Sequence, residues 1–386
     1  MMVFQIVFWI CVAIMFYSYV VYHFLLMVFS LISKSNEMVK SNESAENYSI
    51  LMSVYNEELV LEKKLESIFE QSANESRKFE LLIGSDGSTD KTDEIILNWM
   101  KSHPEIVFKR FEKRTGKPSI INELMKDCKS DLVVLTDANV ILEKNSVHEL
   151  LKHFADSKVG LVGGNILNKS NINKGVSHIE SFYVNRENQI KKLESDVFKT
   201  MIGPFGGFYA FRKKLFLPIP PHFLVDDFYW CMQILKQKKQ SIFEQEAIAF
   251  EDLPSEMKVE FKRKVRIGTG NFQNLRRFPF LLNPFSIIGF CFISHKLIRW
   301  MGPFILLIAY ASNFVLAFTN QFYLFLFLMQ SLLLIVFMIL RNKKSMPEAL
   351  RFITYFYNMN LALLIGFVQF VKGVEAGTWE PTKRSN

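Results

Sequence analysis

The sequence predicts an α/β domain joined to α-helical transmembrane segments. Short apolar runs alternate with segments of helical periodicity in the middle of the chain, and long uncharged runs occupy both of its ends. The composition agrees with this architecture, because 49% of the 386 residues are hydrophobic and only 22% are charged. These proportions exclude an intrinsically disordered chain.

Three short apolar runs that end in turn residues predict buried parallel strands: residues 48–54, 79–85 and 131–136. Apolar residues recur at helical spacing in three further segments: 57–70, 90–102 and 117–128. The alternation predicts a doubly wound sheet, whose ligand crevice lies at the carboxyl ends of the strands.

The four cysteines are far apart, so their spacing fits neither a disulfide framework nor a zinc site, and we expect a reducing compartment. Lys and Arg outnumber Asp and Glu by 46 to 38, but they form no continuous basic stripe. We therefore expect no nucleic-acid partner. Membrane lipid with anionic headgroups and a phosphorylated substrate are the partners that the basic residues predict.

The N-terminal segment from Val3 to Ser33 contains no charged residue. About 20 apolar residues are enough to cross a bilayer, so this segment predicts a membrane helix. A cleaved signal peptide is the alternative, but it would need a basic start and a small-residue cleavage site, and both are missing here.

The C-terminal part contains three further spans by the same criterion. Trp300 to Leu340 is uncharged and has a polar break at 319–321, which predicts two helices, and Ile353 to Val371 predicts a third. The segment from Phe278 to Ser294 is apolar but short and contains two prolines. We expect it to lie in the membrane interface.

Lys and Arg beside membrane helices favour the cytoplasm. With an interfacial segment at 278–294, the basic flanks all lie on that side: Lys34, Lys40, Arg299 and the cluster at 341–344. We therefore predict a multi-pass protein of the cell (inner) membrane whose α/β domain is cytosolic. The predicted regions are an N-terminal transmembrane helix (1–33), a cytosolic domain (34–277), an interfacial amphipathic helix (278–298), three transmembrane helices (299–372) and a C-terminal tail (373–386).

Polar residues follow each predicted strand, at 55–58, 86–90 and 137–139. Asp86 precedes Gly87, which permits close approach of a ligand, and its carboxylate can accept hydrogen bonds from a nucleobase or ribose. Asp137 suits Mg²⁺ or Mn²⁺, which bind through one or two carboxylates together with substrate phosphates. Helix caps and ordinary turns are the structural alternative for each of these loops taken singly.

Asp226 and Asp227 begin a predicted amphipathic helix. The positive end of a helix dipole alone can explain an acidic pair, and a general base for a proton-transfer step is the functional alternative. Residues 262–277 form a basic amphipathic segment, which can lie on a membrane surface or bind a departing pyrophosphate.

Seven short motifs follow one another along the chain: YNEE at 55–58, SDGSTDKT at 85–92, GKPSIIN at 116–122, TDAN at 136–139, GGFYAFRKKLF at 206–216, VDD at 225–227 and RKVRIGTGNFQNL at 263–275. In this order, between one N-terminal and several C-terminal membrane helices, they resemble the processive type of family 2 glycosyltransferases. These are the membrane-embedded relatives of cellulose and hyaluronan synthases. The resemblance extends over nearly the whole chain.

The resemblance implies a GT-A (Rossmann-like) fold and an inverting glycosyltransferase. Such an enzyme transfers a sugar from a nucleotide-sugar donor, commonly a UDP-sugar, to a glycan or lipid-linked acceptor in cell-surface polysaccharide or glycolipid synthesis. The resemblance assigns contact with the nucleoside to Asp86, helped by Tyr55 and Glu57.

The resemblance also indicates which residues bind the diphosphate and the metal. Asp137 and Asn139 stand at the metal-binding DxD positions, and Lys117 matches a basic residue near the phosphates. Asp227 matches the base for the acceptor hydroxyl. Because Asn139 replaces the second acid, it can act only as a neutral ligand, and we expect a weaker metal dependence than is usual in the family.

A second departure concerns the QxxRW segment of the family. Arg263 and Arg266 match its basic positions and are expected to bind the diphosphate, but the Gln and the Trp are missing from residues 263–267. In polymerising members that Trp helps to form the acceptor site. Its absence argues against processive synthesis of a polymer.

A second hypothesis is a non-catalytic membrane transporter or sensor that binds a nucleotide. Asp227 argues against it, because a binding module has no use for a base. The predicted membrane helices also lack the charged residues expected along a solute pathway.

Overall fold

The computed structural model describes residues 1–33, 47–72, 78–168, 176–251, 257–341, 343 and 346–374. Lys34, Lys40, Lys344 and most of the predicted C-terminal tail lie outside the described residues. The chain divides into two compact units. The first consists of Met1–Phe29, Lys174–Ile179 and Pro254–Gly373, and the second of Ser30–Asn173, Glu180–Leu253 and Val374–Asn386.

The described part of the second unit contains eight strands: β1 (Tyr48–Val54), β2 (Phe79–Asp86), β3 (Ile106–Phe111), β4 (Leu132–Thr136), β5 (Val140–Leu142), β6 (Val159–Asn168), β7 (Phe208–Arg212) and β8 (Gln240–Glu251). They form one sheet in the order β3-β2-β1-β4-β7-β6-β8-β5. The first four strands in this order are parallel, whereas β7 is antiparallel to both of its neighbours. The three predicted strands are β1, β2 and β4, which confirms the α/β fold class.

The main helices in chain order are α1 (Met2–Ile32), α2 (Leu61–Ser72), α3 (Thr92–Met100), α4 (Lys117–Asp127), α5 (Ser146–Leu151), α6 (Val176–Phe198), α7 (Asp226–Lys236), α8 (Met257–Arg277), α9 (Ile287–Trp300), α10 (Gly302–Ala317), α11 (Gln321–Leu340) and α12 (Glu348–Lys372). The helices α2 to α4 alternate with strands, as the sequence predicts. Pro118 stands in the first turn of α4, where its missing N–H leaves no hydrogen bond unmade.

Both faces of β1, β2 and β4 are buried, as expected for strands with helices on either side of the sheet. On one face Ile50 and Met52 belong to the same core as Leu61 and Leu65 of α2. On the other face α4 approaches β2 so closely that a Cβ at Gly84 would lie 2.3 Å from Ile120 Cγ2. This packing fixes the ends of the strands, from which the polar loops extend.

In the first unit, three described helices are long and apolar enough to cross a membrane: Met2–Ile32, Gln321–Leu340 and Glu348–Lys372. The helices α9 and α10 are bent by 62° relative to one another and add a fourth candidate if they form one span. The segment predicted as one interfacial helix is divided into a 3-10 turn at Pro279–Leu282 and the start of α9. The orientation in the membrane and the region boundaries stay predictions.

Helices α8 and α12 of the first unit pack at small residues. A Cβ at Gly366 of α12 would lie 2.8 Å from the backbone nitrogen of Thr269 on α8, so only glycine permits this approach. Thr269 Oγ1 also donates a hydrogen bond to Gln369 Oε1 at 3.2 Å. The basic segment predicted at 262–277 is therefore the second part of a helix that belongs to the first unit.

Candidate active site

The loops after β1 and β2 are joined by hydrogen bonds in the second unit. Asn56 Oδ1 accepts a hydrogen bond from the backbone nitrogen of Thr89 at 2.8 Å. The backbone nitrogen of Glu57 donates to Thr92 Oγ1 at 2.8 Å. These bonds hold Tyr55 and Glu57 next to the loop that follows Asp86.

Asp86 fixes a third loop, which leads into α4. Its buried carboxylate accepts hydrogen bonds from the backbone nitrogens of Thr115 at 2.6 Å and Gly116 at 2.9 Å. Arg114 precedes this pair, and its guanidinium carbon lies 3.8 Å from the centroid of the Tyr55 ring. Asp86 therefore orients the loop that carries Arg114, in addition to any contact that it makes with a ligand.

Lys117 connects the end of β4 with the start of α7. Its ammonium group donates to Asp137 Oδ1 at 2.7 Å and lies 3.5 Å from Asp226 Oδ2. It also donates to the carbonyl oxygen of Gly206 at 3.3 Å. Burial disfavours the ammonium charge, but the carboxylates of Asp137 and Asp226 outweigh this effect and raise the pKa of Lys117. Lys117 is therefore a fixed cation between two acids.

The turn after β4 retains two oxygen atoms that fit a cation. Asp137 Oδ1 binds Lys117, and Asn139 Nδ2 donates to Glu251 Oε1 at 3.1 Å. Asp137 Oδ2 and Asn139 Oδ1 take no hydrogen bond among the described residues. The described residues contain no group of three His, Cys, Asp or Glu side chains that could hold a metal unaided. A cation at this turn therefore needs ligands from a substrate, as Mg²⁺ commonly does.

Asp227 has the properties of a general base. Burial raises the pKa of its carboxyl group to about 6, and the adjacent charge of Asp226 adds to the rise. The backbone N–H of Phe228 and the cations of Lys117 and Lys191 act in the opposite direction. A Cβ at Gly206 would lie 3.1 Å from Asp227 Oδ2, so the glycine leaves the carboxylate accessible from this side.

A comparison with family models identifies this domain. Residues 49–217 match the model of glycosyl transferase family 2. This part of the chain belongs to glycosyl transferase family 2. The match begins in β1 and ends after β7, so it includes the turn after β4 and the Gly206–Gly207 loop. The predicted family is confirmed for this part of the chain.

Two characterised relatives resemble the family 2 domain. A poly-beta-1,6-N-acetyl-D-glucosamine synthase of Staphylococcus epidermidis is 30% identical over 181 residues, which are 46% of this chain and 42% of that protein. A dolichyl-phosphate beta-glucosyltransferase of Trichomonas vaginalis is 31% identical over 96 residues, 24% of this chain and 30% of that protein. The match thus spans less than half of the length of either relative.

The fold has a solved counterpart. The mannosyltransferase PcManGT of Pyrobaculum calidifontis, determined in complex with GDP-Man and Mn²⁺, superposes with a TM-score of 0.71 at 19% sequence identity. The superposition covers 95% of this chain and 99% of that protein. It confirms the GT-A fold of the family 2 domain.

Most of the predicted site residues lie in loops, at the end of a strand or in the first turn of a helix of the second unit: Tyr55, Glu57, Asp86, Lys117, Asp137, Asn139 and Asp227. Arg263 and Arg266 lie on α8 of the first unit, where Arg263 donates to Glu260 Oε2 at 2.9 Å and to Oε1 at 3.1 Å. The roles of all these residues stay predictions.

Sequence reasoning missed three residues of the site. Arg114 contacts Tyr55, and its position two residues before the GK motif could have indicated it. Lys191 on α6 lies 3.3 Å from the centroid of the Phe205 ring and influences Asp227. Tyr209 on β7 is buried, and burial together with the charges of Asp226 and Asp227 raises its pKa. Lys191 stands in no recognisable pattern, whereas Tyr209 lies within the motif at 206–216, which gives no sign of its contact with the charges of Asp226 and Asp227.

Proposed function

We propose that this chain is a membrane-bound, inverting glycosyltransferase that takes a sugar from a nucleotide-sugar donor, a UDP- or GDP-sugar. The acceptor is a glycan or a lipid-linked sugar, and the reaction belongs to cell-surface polysaccharide or glycolipid synthesis. The convergence of Lys117, Asp137 and Asp227 carries this proposal. In this arrangement the cation of Lys117, which can bind the diphosphate, lies in the same site as Asp227, a base with a pKa of about 6.

The donor nucleoside binds at the loops after β1 and β2. The Tyr55 ring and the Arg114 guanidinium can both stack on a base, because every base has a π face. Asp86 lies behind them and holds the backbone of Thr115 and Gly116. The printed names of the relatives support an activated sugar as substrate, since one makes a polymer of N-acetyl-D-glucosamine and the solved neighbour holds GDP-Man.

The transfer needs one proton movement and one displacement. Asp227 removes the proton of the acceptor hydroxyl, and the acceptor oxygen forms a bond to the anomeric carbon. The bond from that carbon to the diphosphate breaks, and the nucleoside diphosphate leaves with the electron pair. Because attack and departure occur on opposite faces, the anomeric configuration inverts, and Lys117 offsets the charge of the leaving group.

A divalent cation, Mg²⁺ or Mn²⁺, fits the turn after β4. Asp137 and Asn139 would hold it through the two oxygen atoms that lack hydrogen bonds among the described residues, and the diphosphate would complete the ligand set. When bound, such a cation stabilises the negative charge that develops on the leaving diphosphate.

A donor screen tests the proposal. The full chain in lipid nanodiscs is incubated with UDP-sugars and GDP-sugars in the presence of Mg²⁺ or Mn²⁺ and membrane extract as acceptor, and release of nucleoside diphosphate is followed. Asp227→Asn is compared with Asp196→Asn, which changes a carboxylate in an exposed ion pair with Lys192. We expect release from one donor, loss of release in Asp227→Asn, reduced release after chelation, and full activity in Asp196→Asn.

The opposite result points to the second hypothesis. Nucleotide binding without turnover of any donor would indicate a non-catalytic transporter or sensor. Equal activity of Asp227→Asn and wild type would remove Asp227 from the mechanism. The cytosolic orientation is tested separately, by protease access to the second unit in sealed inner-membrane vesicles of known sidedness.

A further inference from the structure

Among the described strands, β5 is the last of the sheet, and it pairs with β8 on one side only. Along its other side, three polar residues of α2 at helical spacing bond to its backbone or to the residue after it. Lys64 Nζ donates to the carbonyl oxygen of Val140, Ser67 Oγ accepts from the nitrogen of Leu142 at 3.3 Å, and Gln71 Nε2 donates to the carbonyl oxygen of Glu143 at 2.8 Å. These side chains replace a neighbouring strand and protect the edge.

Lys64 differs from the other two residues because it also bonds to a residue of β4. Its ammonium group also donates to Thr136 Oγ1 at 2.7 Å. Thr136 Oγ1 in turn donates to the carbonyl oxygen of Gly207 at 3.0 Å. Thr136 and Val140 are the residues directly before and after the turn of Asp137 to Asn139. One side chain therefore holds both ends of that turn.

Protection of the edge alone does not explain a charged residue at this position. Gln71 satisfies the carbonyl oxygen of Glu143 with a neutral amide, and a neutral side chain could do the same for Val140. Lys64 is completely buried, and burial of an ammonium group is costly. Burial lowers the pKa of Lys64 to about 7, although the charge of Asp137 acts in the opposite direction. The energetic cost of burying this ammonium group is explained if the conformation of the turn of Asp137 to Asn139 matters for binding of the donor.

We propose that Lys64 is a positioning residue, which holds the turn of Asp137 to Asn139 in the conformation that binds the diphosphate of the donor. The proposal rests on the proposed function, because that function supplies the diphosphate. Lys64 touches neither substrate nor cation. It acts through Thr136 and Val140, and through Thr136 it also reaches Gly207.

Binding of nucleotides with and without the second phosphate tests this role. Titration calorimetry on the full chain in nanodiscs with Mn²⁺ measures UDP against UMP, or GDP against GMP for a guanine-specific chain. We expect Lys64→Met to weaken binding of the diphosphate about tenfold, and to leave binding of the monophosphate within about twofold. The monophosphate makes the same contacts in the nucleoside site as the diphosphate. A general loss of structure would therefore weaken binding of both nucleotides equally.

Lys63→Met is the matched control, because Lys63 is the preceding residue of α2 and is exposed. It should bind both nucleotides like wild type. Lys64→Gln keeps an amide donor, so it should recover part of the lost diphosphate affinity, and it makes the same comparison if Lys64→Met does not fold. Unchanged diphosphate affinity in Lys64→Met, or equal losses for both nucleotides, would overturn the proposal. If wild-type protein binds neither UDP nor GDP, the proposed function fails and the role of Lys64 fails with it.

Discussion

The guanidinium carbon of Arg114 lies 3.8 Å from the centroid of the Tyr55 ring, so two loops of the family 2 domain meet in a cation–π contact. Tyr55 follows β1, and Arg114 stands in the loop before α4. Asp86 holds that second loop through Thr115 and Gly116. The pair forms a flat, cationic surface of the kind on which a nucleobase stacks.

We expect Tyr55→Leu and Arg114→Leu each to weaken UMP or GMP binding about tenfold, because stacking of one base on an aromatic side chain contributes about 1–3 kcal/mol. Titration calorimetry on protein in nanodiscs measures the effect. Lys113→Leu is the control, since Lys113 is the exposed neighbour of Arg114. Unchanged affinity in Tyr55→Leu would mean that the base binds elsewhere.

Two lysines of α4 should differ strongly in their effect on stability. Lys117→Met leaves Asp137 and Asp226 without their shared cation and should destabilise the domain by about 1–3 kcal/mol. Lys126 forms an exposed pair with Glu123, so Lys126→Met should cost at most about 1 kcal/mol. Thermal unfolding in nanodiscs distinguishes them. Similar unfolding temperatures for both variants would contradict a structural role of the Lys117 cation.

The sequence predicts the parallel part of the sheet well and the antiparallel part poorly. The strands β1, β2 and β4 are continuous apolar runs, because both of their faces are buried. The strand β7 follows Gly206 and Gly207 and is only five residues long, so the local sequence does not distinguish it from a loop. Its position between β4 and β6 depends on pairing with distant residues, which local periodicity does not record.

The candidate site is predictable where it lies at strand ends and unpredictable where it depends on buried charge. Asp86 and Asp137 follow apolar runs, so their location at the crevice follows from topology. Lys64 shares the face of α2 that carries Leu61 and Ile68, whereas Lys63 does not, but helical spacing alone does not show that the ammonium group of Lys64 is buried. The burial of Lys64 follows from its hydrogen bonds to Val140 and Thr136, which are distant in sequence.

The pKa of the proposed base, Asp227, predicts how kcat/KM changes at acidic pH. Burial and the charge of Asp226 raise the pKa of Asp227 to about 6, and only the ionised carboxylate can accept a proton. The value of kcat/KM should therefore rise with pH and level off above about 6. Because the Lys117 cation acts to lower this pKa, Lys117→Met should move the midpoint upward in its residual activity. A midpoint near 4 in wild-type protein would show that Asp227 titrates like an ordinary carboxyl group.

The same carboxylate should lower the stability of the domain at alkaline pH. The fold raises the pKa of Asp227 from 3.8 to about 6, so the stability that the protonated form provides is complete below about 3.8 and is lost as the pH rises through about 6. The neutral side chain of Asp227→Asn should therefore raise the free energy of unfolding by about 1–3 kcal/mol at pH 8, and change it little at pH 4. Asp196→Asn, at an exposed pair with Lys192, should stay within about 0.5 kcal/mol at both pH values. The free energy of unfolding, measured at the two pH values, separates an effect of the ionised carboxylate from an effect of packing. Loss of packing in Asp227→Asn would destabilise the protein equally at pH 4 and pH 8.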